Sequence, residues 1–266
     1  MKDKVVVITG ASSGIGLSLA KEYAKNGSKV VIAARNLEKL NELKQELSGS
    51  EILAVKTDVS IEEDCKQLIT ETINRFGMID VLINNAGVSM RSLFADLDLE
   101  VFKRVMNINF WGTVYCTKFA LKYLLQSKGS VVGVSSISGF IGLPARCAYS
   151  ASKYAMHGFL ETLRTENMKT GLHVLIAAPG FTQSNIRKRA FTGDGTVQAE
   201  TPRDEDKMMT SEEVAGHIYN AVLKRKRTLI LTSQGVLTVK LKKFFPGFID
   251  KQAFNLLAKE PDSPLK

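Results

Sequence analysis

Short runs of aliphatic and β-branched residues alternate along the chain with stretches whose apolar positions recur every three to four residues. The runs cover 5–9, 29–33, 52–56, 81–84, 130–135, 173–178 and 228–231. They lack polar alternation, which predicts strands buried on both faces. Between them the helical period predicts helices over 14–26, 36–48, 60–76, 99–126, 149–170 and 211–224. The first carries Ile15, Leu19, Tyr23 and Ala24 on one side, and Gly27 closes it. Seven strands joined by helices predict an α/β fold, a doubly wound parallel seven-stranded sheet with helices on both faces. No repeat or linker divides the sequence, so one domain is expected over 1–266, with its core at 4–232.

Two segments break this rhythm. Residues 181–210 are polar and mixed in charge, contain Gly193-Asp194-Gly195 and Pro202, and read as a substrate loop. Residues 233–266 mix Val236, Leu237, Phe244, Phe245 and Phe248 with Lys240, Lys242 and Lys243, and Pro246-Gly247 interrupts them. That extension is expected to pack on the substrate loop or on another subunit. Peripheral contact with an anionic membrane is the alternative.

Directly after the first apolar run stands Thr9-Gly10-Ala11-Ser12-Ser13-Gly14-Ile15-Gly16. The glycines let the backbone bend and approach a ligand, and the helix start offers free N–H groups with partial positive charge. The turn is shaped for a pyrophosphate. A dinucleotide site that takes NAD carries an acid about twenty positions on, at the end of the second strand. Here that strand ends in Ala34-Arg35-Asn36. A carboxylate repels a 2′-phosphate and an arginine pairs with it, so Arg35, with a hydroxyl from Ser12 or Ser13, predicts NADP(H) over NAD(H). Asp58 ends the third strand and is a candidate acceptor for an adenine amino group. Asn84-Asn85-Ala86-Gly87 ends the fourth, either as a close approach to the ligand or as a plain turn.

Tyr149-Ser150-Ala151-Ser152-Lys153 places a phenol and an ammonium one helical turn apart on one face. A neighbouring ammonium favours phenolate, which suits a tyrosine to exchanging a proton with an alcohol or carbonyl oxygen. Ser136, at the end of the fifth strand, can donate to the same oxygen.

The ordered set of Thr-Gly-x-x-x-Gly-x-Gly, Asn84-Asn85-Ala86-Gly87, Asn109, Ser136, Tyr149-x-x-x-Lys153 and Pro179-Gly180 resembles the short-chain dehydrogenase/reductase family over residues 4 to about 232. The resemblance implies a Rossmann-type sheet and hydride transfer between NADP(H) and a small-molecule alcohol/carbonyl pair. By matching position it implies Tyr149 as general acid/base, Lys153 as ribose ligand and tuner of Tyr149, and Ser136 as holder of the substrate oxygen. It implies Asn109 as support for a water leading from Lys153, and Thr182 as contact for the nicotinamide carboxamide. The cofactor set is Gly10, Ser12, Ser13, Gly14, Ile15, Gly16, Arg35, Asn36, Asp58, Val59, Asn85, Ala86, Gly87, Tyr149, Lys153, Pro179, Gly180 and Thr182. Relatives that prefer NADP often carry a basic residue in the glycine turn, where this sequence has Ser13. The family often forms homodimers or homotetramers, here through the helices around 99–126 and 149–170.

Composition narrows the alternatives. The net charge is +9, and residues 224–266 alone carry +7, so the basic character belongs to the tail. No nucleic-acid module accompanies it, and no nucleic-acid partner is expected. Cys65, Cys116 and Cys147 form no metal-type spacing, so structural thiols and no metal are expected. The first strand begins at Val5, and the expectation is a cytoplasmic enzyme without a signal peptide. Gly10-Ala11-Ser12-Ser13-Gly14 also fits a hydrolase's nucleophile turn, with Ser12 as nucleophile. A scaffold that binds NADP without turnover is the other competing class.

Overall fold

The computed structural model describes residues 1–199, 201 and 208–266; Pro202 lies outside the described residues. Strands β1 (Val5–Thr9), β2 (Lys29–Ala34), β3 (Ile52–Lys56), β4 (Val81–Asn84), β5 (Ser130–Val134), β6 (His173–Ala178) and β7 (Thr228–Ile230) form one parallel sheet in the order β3-β2-β1-β4-β5-β6-β7. The helices are α1 (Gly14–Lys25), α2 (Leu37–Glu46), α3 (Glu62–Phe76), α4 (Leu99–Met106), α5 (Gly112–Gln126), α6 (Cys147–Glu166), α7 (Ser211–Leu223), α8 (Ser233–Phe244) and α9 (Pro246–Ala258).

Successive strand residues point to opposite faces, and both faces are covered. Val6, Ile8, Val30 and Ile32 meet Leu19 and Tyr23 of α1, Leu40 and Leu43 of α2 and Ile218 of α7. Val7, Val31 and Ala33 meet Leu68 of α3, Cys116 and Leu124 of α5 and Met156 and Leu160 of α6. This double burial is why the strands read as unbroken apolar runs. The strand order reverses between β1 and β4, and the crevice beyond their carboxyl ends is where such sheets bind ligands.

Three departures from the expected elements have local causes. The helix expected over 36–48 begins at Leu37, because the Asn36 side chain accepts from the Lys39 N–H at 2.9 Å and caps it. The helix expected over 99–126 is broken by a wide turn, Asn107–Trp111, that separates α4 from α5. The segment beyond β7 is helical, and Pro246 starts α9, where its missing N–H costs nothing. Ile249, Ala253 and Leu257 of α9 are buried, while Phe244, Phe245 and Phe248 stay exposed. Among the described residues no helix is long and apolar enough to cross a membrane.

Candidate active site

One large cleft of about 1070 Å³ opens beyond the carboxyl ends of the strands. Its β1 side is the glycine turn. Gly10 has a φ of 68° and Gly14 a φ of 53°, left-handed values that favour glycine. A Cβ on Gly10 would stand 2.8 Å from the Ala86 Cα, so the turn after β1 and the loop after β4 touch backbone to backbone. Asn85 ties them: its side-chain amide donates to the Thr9 carbonyl at 2.9 Å, and its own N–H donates to the Thr9 hydroxyl at 3.0 Å. Ser13 precedes α1 in extended backbone and its side chain does not cap the helix; the first turn holds no acid. The N–H groups of that turn have no intrahelical partners, whereas the first turn of α3 carries Glu62, Glu63 and Asp64. The start of α1 therefore offers unmet donors and positive potential to an anion, as a pyrophosphate requires.

Of the residues expected to hold the cofactor, Gly10, Ser12, Ser13, Gly14, Ile15, Arg35, Asn36, Asp58, Val59, Asn85, Ala86, Gly87, Pro179, Gly180 and Thr182 line this cleft. Gly16 does not. A Cβ there would lie 2.3 Å from the Gly10 carbonyl oxygen, so Gly16 seats the helix on the turn. The Asn36 side-chain oxygen accepts the bond that caps α2. Asp58 accepts from the Ser60 N–H and hydroxyl at 3.0 and 2.7 Å, which fixes its carboxylate at the cleft wall. Arg35 is exposed at the same end.

Ser136, Tyr149 and Lys153 come together on the opposite wall. The Lys153 Nζ lies 5.7 Å from the Tyr149 ring centre and donates to the Val134 carbonyl at 3.0 Å. Burial lowers its pKa to about 8. Burial raises the Tyr149 phenol above its ordinary value; the Ser136 hydroxyl and the Arg146 guanidinium pull the other way. Arg146 directly precedes α6, and its guanidinium donates to the Met90 carbonyl at 2.7 Å. Nothing in the spacing around Tyr149 had singled it out.

Asn109 is fully buried and outside the cleft lining. Its side-chain oxygen accepts from the Val88 N–H at 2.8 Å, and its amide donates to the Val88 carbonyl and the Ser152 hydroxyl, each at 2.9 Å. The side chain is thus a brace between the loop after β4 and α6, bonded to the residue just before Lys153. A Cβ on Gly87 would sit 3.2 Å from the Asn109 Oδ1 and 3.6 Å from the Lys153 Nζ. Glycine there lets the loop pass between them.

Behind Ser136, the Ser135 hydroxyl meets the His157 Nε2 at 2.6 Å, and the Phe140 ring lies edge-on to the imidazole. Both nitrogens of His173 are engaged, by Ser130 and the Lys226 carbonyl. His217 is exposed on α7. His157 and His173 are thus committed to partners other than Ser12, which removes the support for a hydrolase. Cys147 lies outside the cleft lining and burial raises its thiol pKa, which fits a structural thiol.

The far side of the cleft is built by residues of the 181–210 loop and by α9, which the sequence had not placed at the cleft. Ile249, Gln252, Ala253, Leu256 and Leu257 of α9 line it, together with Phe181, Ile186, Phe191 and Met209. The tail end is fastened across the loop after β4, where Arg91 pairs with the buried Glu260 at 3.4 Å and donates to the Pro261 carbonyl at 2.8 Å.

Residues 4–195 match the family of the short chain dehydrogenases. The chain is 43% identical over 196 residues to an 11-beta-hydroxysteroid dehydrogenase A from Sesamum indicum; the match covers 72% of this chain and spans 56% of the length of that protein. A short chain dehydrogenase/reductase from Burkholderia phymatum, solved in complex with NAD, superposes with a TM-score of 0.83 at 22% identity, covering 93% of this chain and 95% of its own. An alcohol dehydrogenase from Thermococcus sibiricus, complexed with 5-hydroxy-NADP, superposes with a TM-score of 0.76 at 25% identity, covering 86% and 96%.

Proposed function

Because the chain belongs to the short-chain dehydrogenase/reductase family, we propose that it interconverts a lipophilic ketone or aldehyde and its alcohol by hydride transfer, using NADP(H) in preference to NAD(H). The observation that carries this reading is one cleft lined at one end by an uncapped helix start and Arg35, and at the other by Ser136, Tyr149 and Lys153. The bound nicotinamide supplies the hydride donor or acceptor. Gly10, Gly14 and the first N–H groups of α1 would hold its pyrophosphate, Arg35 a 2′-phosphate, and Asp58 the adenine edge. Thr182 and the Pro179-Gly180 turn would meet the carboxamide.

The chain's own part is to hold an oxygen and move a proton. Ser136 donates a hydrogen bond to the carbonyl oxygen and orients it toward Tyr149. In reduction the Tyr149 phenol gives its proton to that oxygen as it gains negative charge; in oxidation it takes the proton back. A phenol whose pKa is raised by burial stays protonated at neutral pH, which suits it to the reductive direction. The Lys153 ammonium, held under the ring by the Val134 carbonyl, offsets the charge left on the phenolate. Asn109 positions Lys153 through Ser152 and the loop after β4.

Phe181, Ile186, Phe191, Met209 and the α9 residues support a lipophilic substrate. Half-exposed Trp111, stacked on Tyr115 beside α5, and half-exposed Tyr154 on α6 support self-association through these helices. The test is NADPH and NADH oxidation over a panel of steroid, retinoid, fatty and small polar carbonyls. Turnover of apolar ketones with NADPH supports the reading. Cofactor binding without turnover of any carbonyl favours the scaffold.

A further inference from the structure

Among the described residues, the charged side chains at the catalytic end of the cleft are of one sign. Arg104, Arg146, Arg187 and Arg189 line it there beside Lys153. Asp58, the one carboxylate among the described lining residues, sits at the other end beyond β3. The arginines come from α4, the turn before α6 and the loop after β6, yet one packing arrangement gathers three of those segments. The Arg104 guanidinium lies 4.3 Å above the Phe191 ring. Phe191 packs in the same small apolar cluster as Met90 and Tyr149, and Arg146 donates to the Met90 carbonyl.

These cations are not explained by the coenzyme. Its pyrophosphate and 2′-phosphate are matched by the start of α1 and by Arg35, across the β1/β4 crevice. Nor does structure explain all of them. Arg146 and the buried Arg187 hold backbone carbonyls, of Met90 and Thr182. Arg104 and Arg189 make no side-chain hydrogen bond or ion pair with the described residues, and both are exposed at the rim. The lining also includes Ile141, Leu143, Ile249 and Leu256, with Gln252 beside the last two on α9. A cleft whose described lining carries four arginines at this end and no carboxylate beside them favours anions over cations.

Resting on the function proposed above, we infer that the carbonyl substrate is an amphiphile: a lipophilic ketone that carries an oxyanion, carboxylate or phosphate monoester, met at the rim by Arg104 and Arg189. Guanidinium pairs with either oxyanion in the same fork geometry. The apolar body lies along α9, and the ketone reaches Ser136 and Tyr149.

The test compares three ketones of equal chain length with the full chain and NADPH: a long-chain oxo fatty acid, its methyl ester, and the phosphate monoester of the matching hydroxy ketone. The acid or the phosphate should exceed the ester in kcat/KM by about tenfold or more, mainly through KM, which is the scale of a charge-assisted contact. The advantage should shrink as salt is raised. In the double variant Arg104→Met/Arg189→Met the ratio of oxyanion to ester should fall to about one. Which of the two oxyanions leads distinguishes carboxylate from phosphate as the head. Equal turnover of the ester, or a preference that survives the double variant, overturns the inference while leaving the oxidoreductase reading intact. Failure of all three compounds and of the wider carbonyl panel removes the oxidoreductase reading, and this inference with it.

Discussion

The Ser135 hydroxyl and the His157 imidazole stand 2.6 Å apart in the layer directly behind Ser136. Burial, helped by the charges of Lys153 and Arg164, lowers the His157 pKa from 6.5 to about 4, so the ring is neutral where the enzyme works. An unfolded chain binds the proton that this buried ring refuses. Stability from this residue is therefore whole above pH 6.5, falls as the pH drops, and has lost up to ~3 kcal/mol near pH 4. His157→Gln keeps a polar partner for Ser135 and cannot titrate. Urea unfolding at pH 7, 5.5 and 4.5 should show a shallower acid loss in the variant than in the parent. Parallel losses would show that His157 is not the acid-sensitive group.

Asn109 makes three hydrogen bonds with no solvent access. Asn109→Ala strands the Val88 N–H and carbonyl, while Ser152 keeps its bond to the Tyr149 carbonyl, and should cost ~2–3 kcal/mol in urea unfolding. It should also lower kcat, because the loop after β4 and α6 then hold Lys153 loosely. An unchanged unfolding midpoint would contradict the brace.

Two glycines should respond in opposite senses to alanine. Gly16→Ala drives a methyl to 2.3 Å from the Gly10 carbonyl and 2.5 Å from the Asn85 amide. It should raise the NADPH Kd in calorimetry by roughly tenfold or more and lower Tm, despite alanine's better helix propensity. Gly158, inside α6, has nothing within 4 Å of the added methyl. Gly158→Ala should stabilise the protein by ~0.5–1 kcal/mol with cofactor affinity unchanged. Tight NADPH binding by Gly16→Ala would show that the turn tolerates separation from the helix.

The proposed NADP(H) preference rests on Arg35, since Ser13 adds no charge in the glycine turn. Arg35→Ser should therefore lower the ratio of kcat/KM for NADPH over NADH by about 10- to 100-fold, chiefly through KM for NADPH. A parent enzyme that already prefers NADH would overturn the assignment.

The sheet was legible because strands buried on both faces spell unbroken apolar runs, and all seven fall within a residue of their expected bounds. The glycine turn and the Tyr149/Lys153 pair were legible because their spacing within one turn or one helix is local, and Ser136 because it ends an apolar run. What stayed hidden depends on tertiary contacts. Asn107-Ile108-Asn109 fits a helical period, and the break between α4 and α5 coincides with the tertiary bonds of Asn109 to Val88 and Ser152. Arg146 looks like a solvated charge until Met90 is folded against it. The place of α9 at the cleft follows from the tail folding back to Arg91, which residue periodicity does not record.

The most direct test of the account is single-turnover NADPH oxidation by Tyr149→Phe beside the parent, on a ketone the parent reduces, with NADPH affinity measured by calorimetry on the same samples. The account predicts a rate lower by roughly two to four decades with cofactor affinity nearly unchanged, since the phenol moves the proton and the turn after β1 holds the coenzyme. A variant that reduces the ketone at close to the parental rate would contradict it.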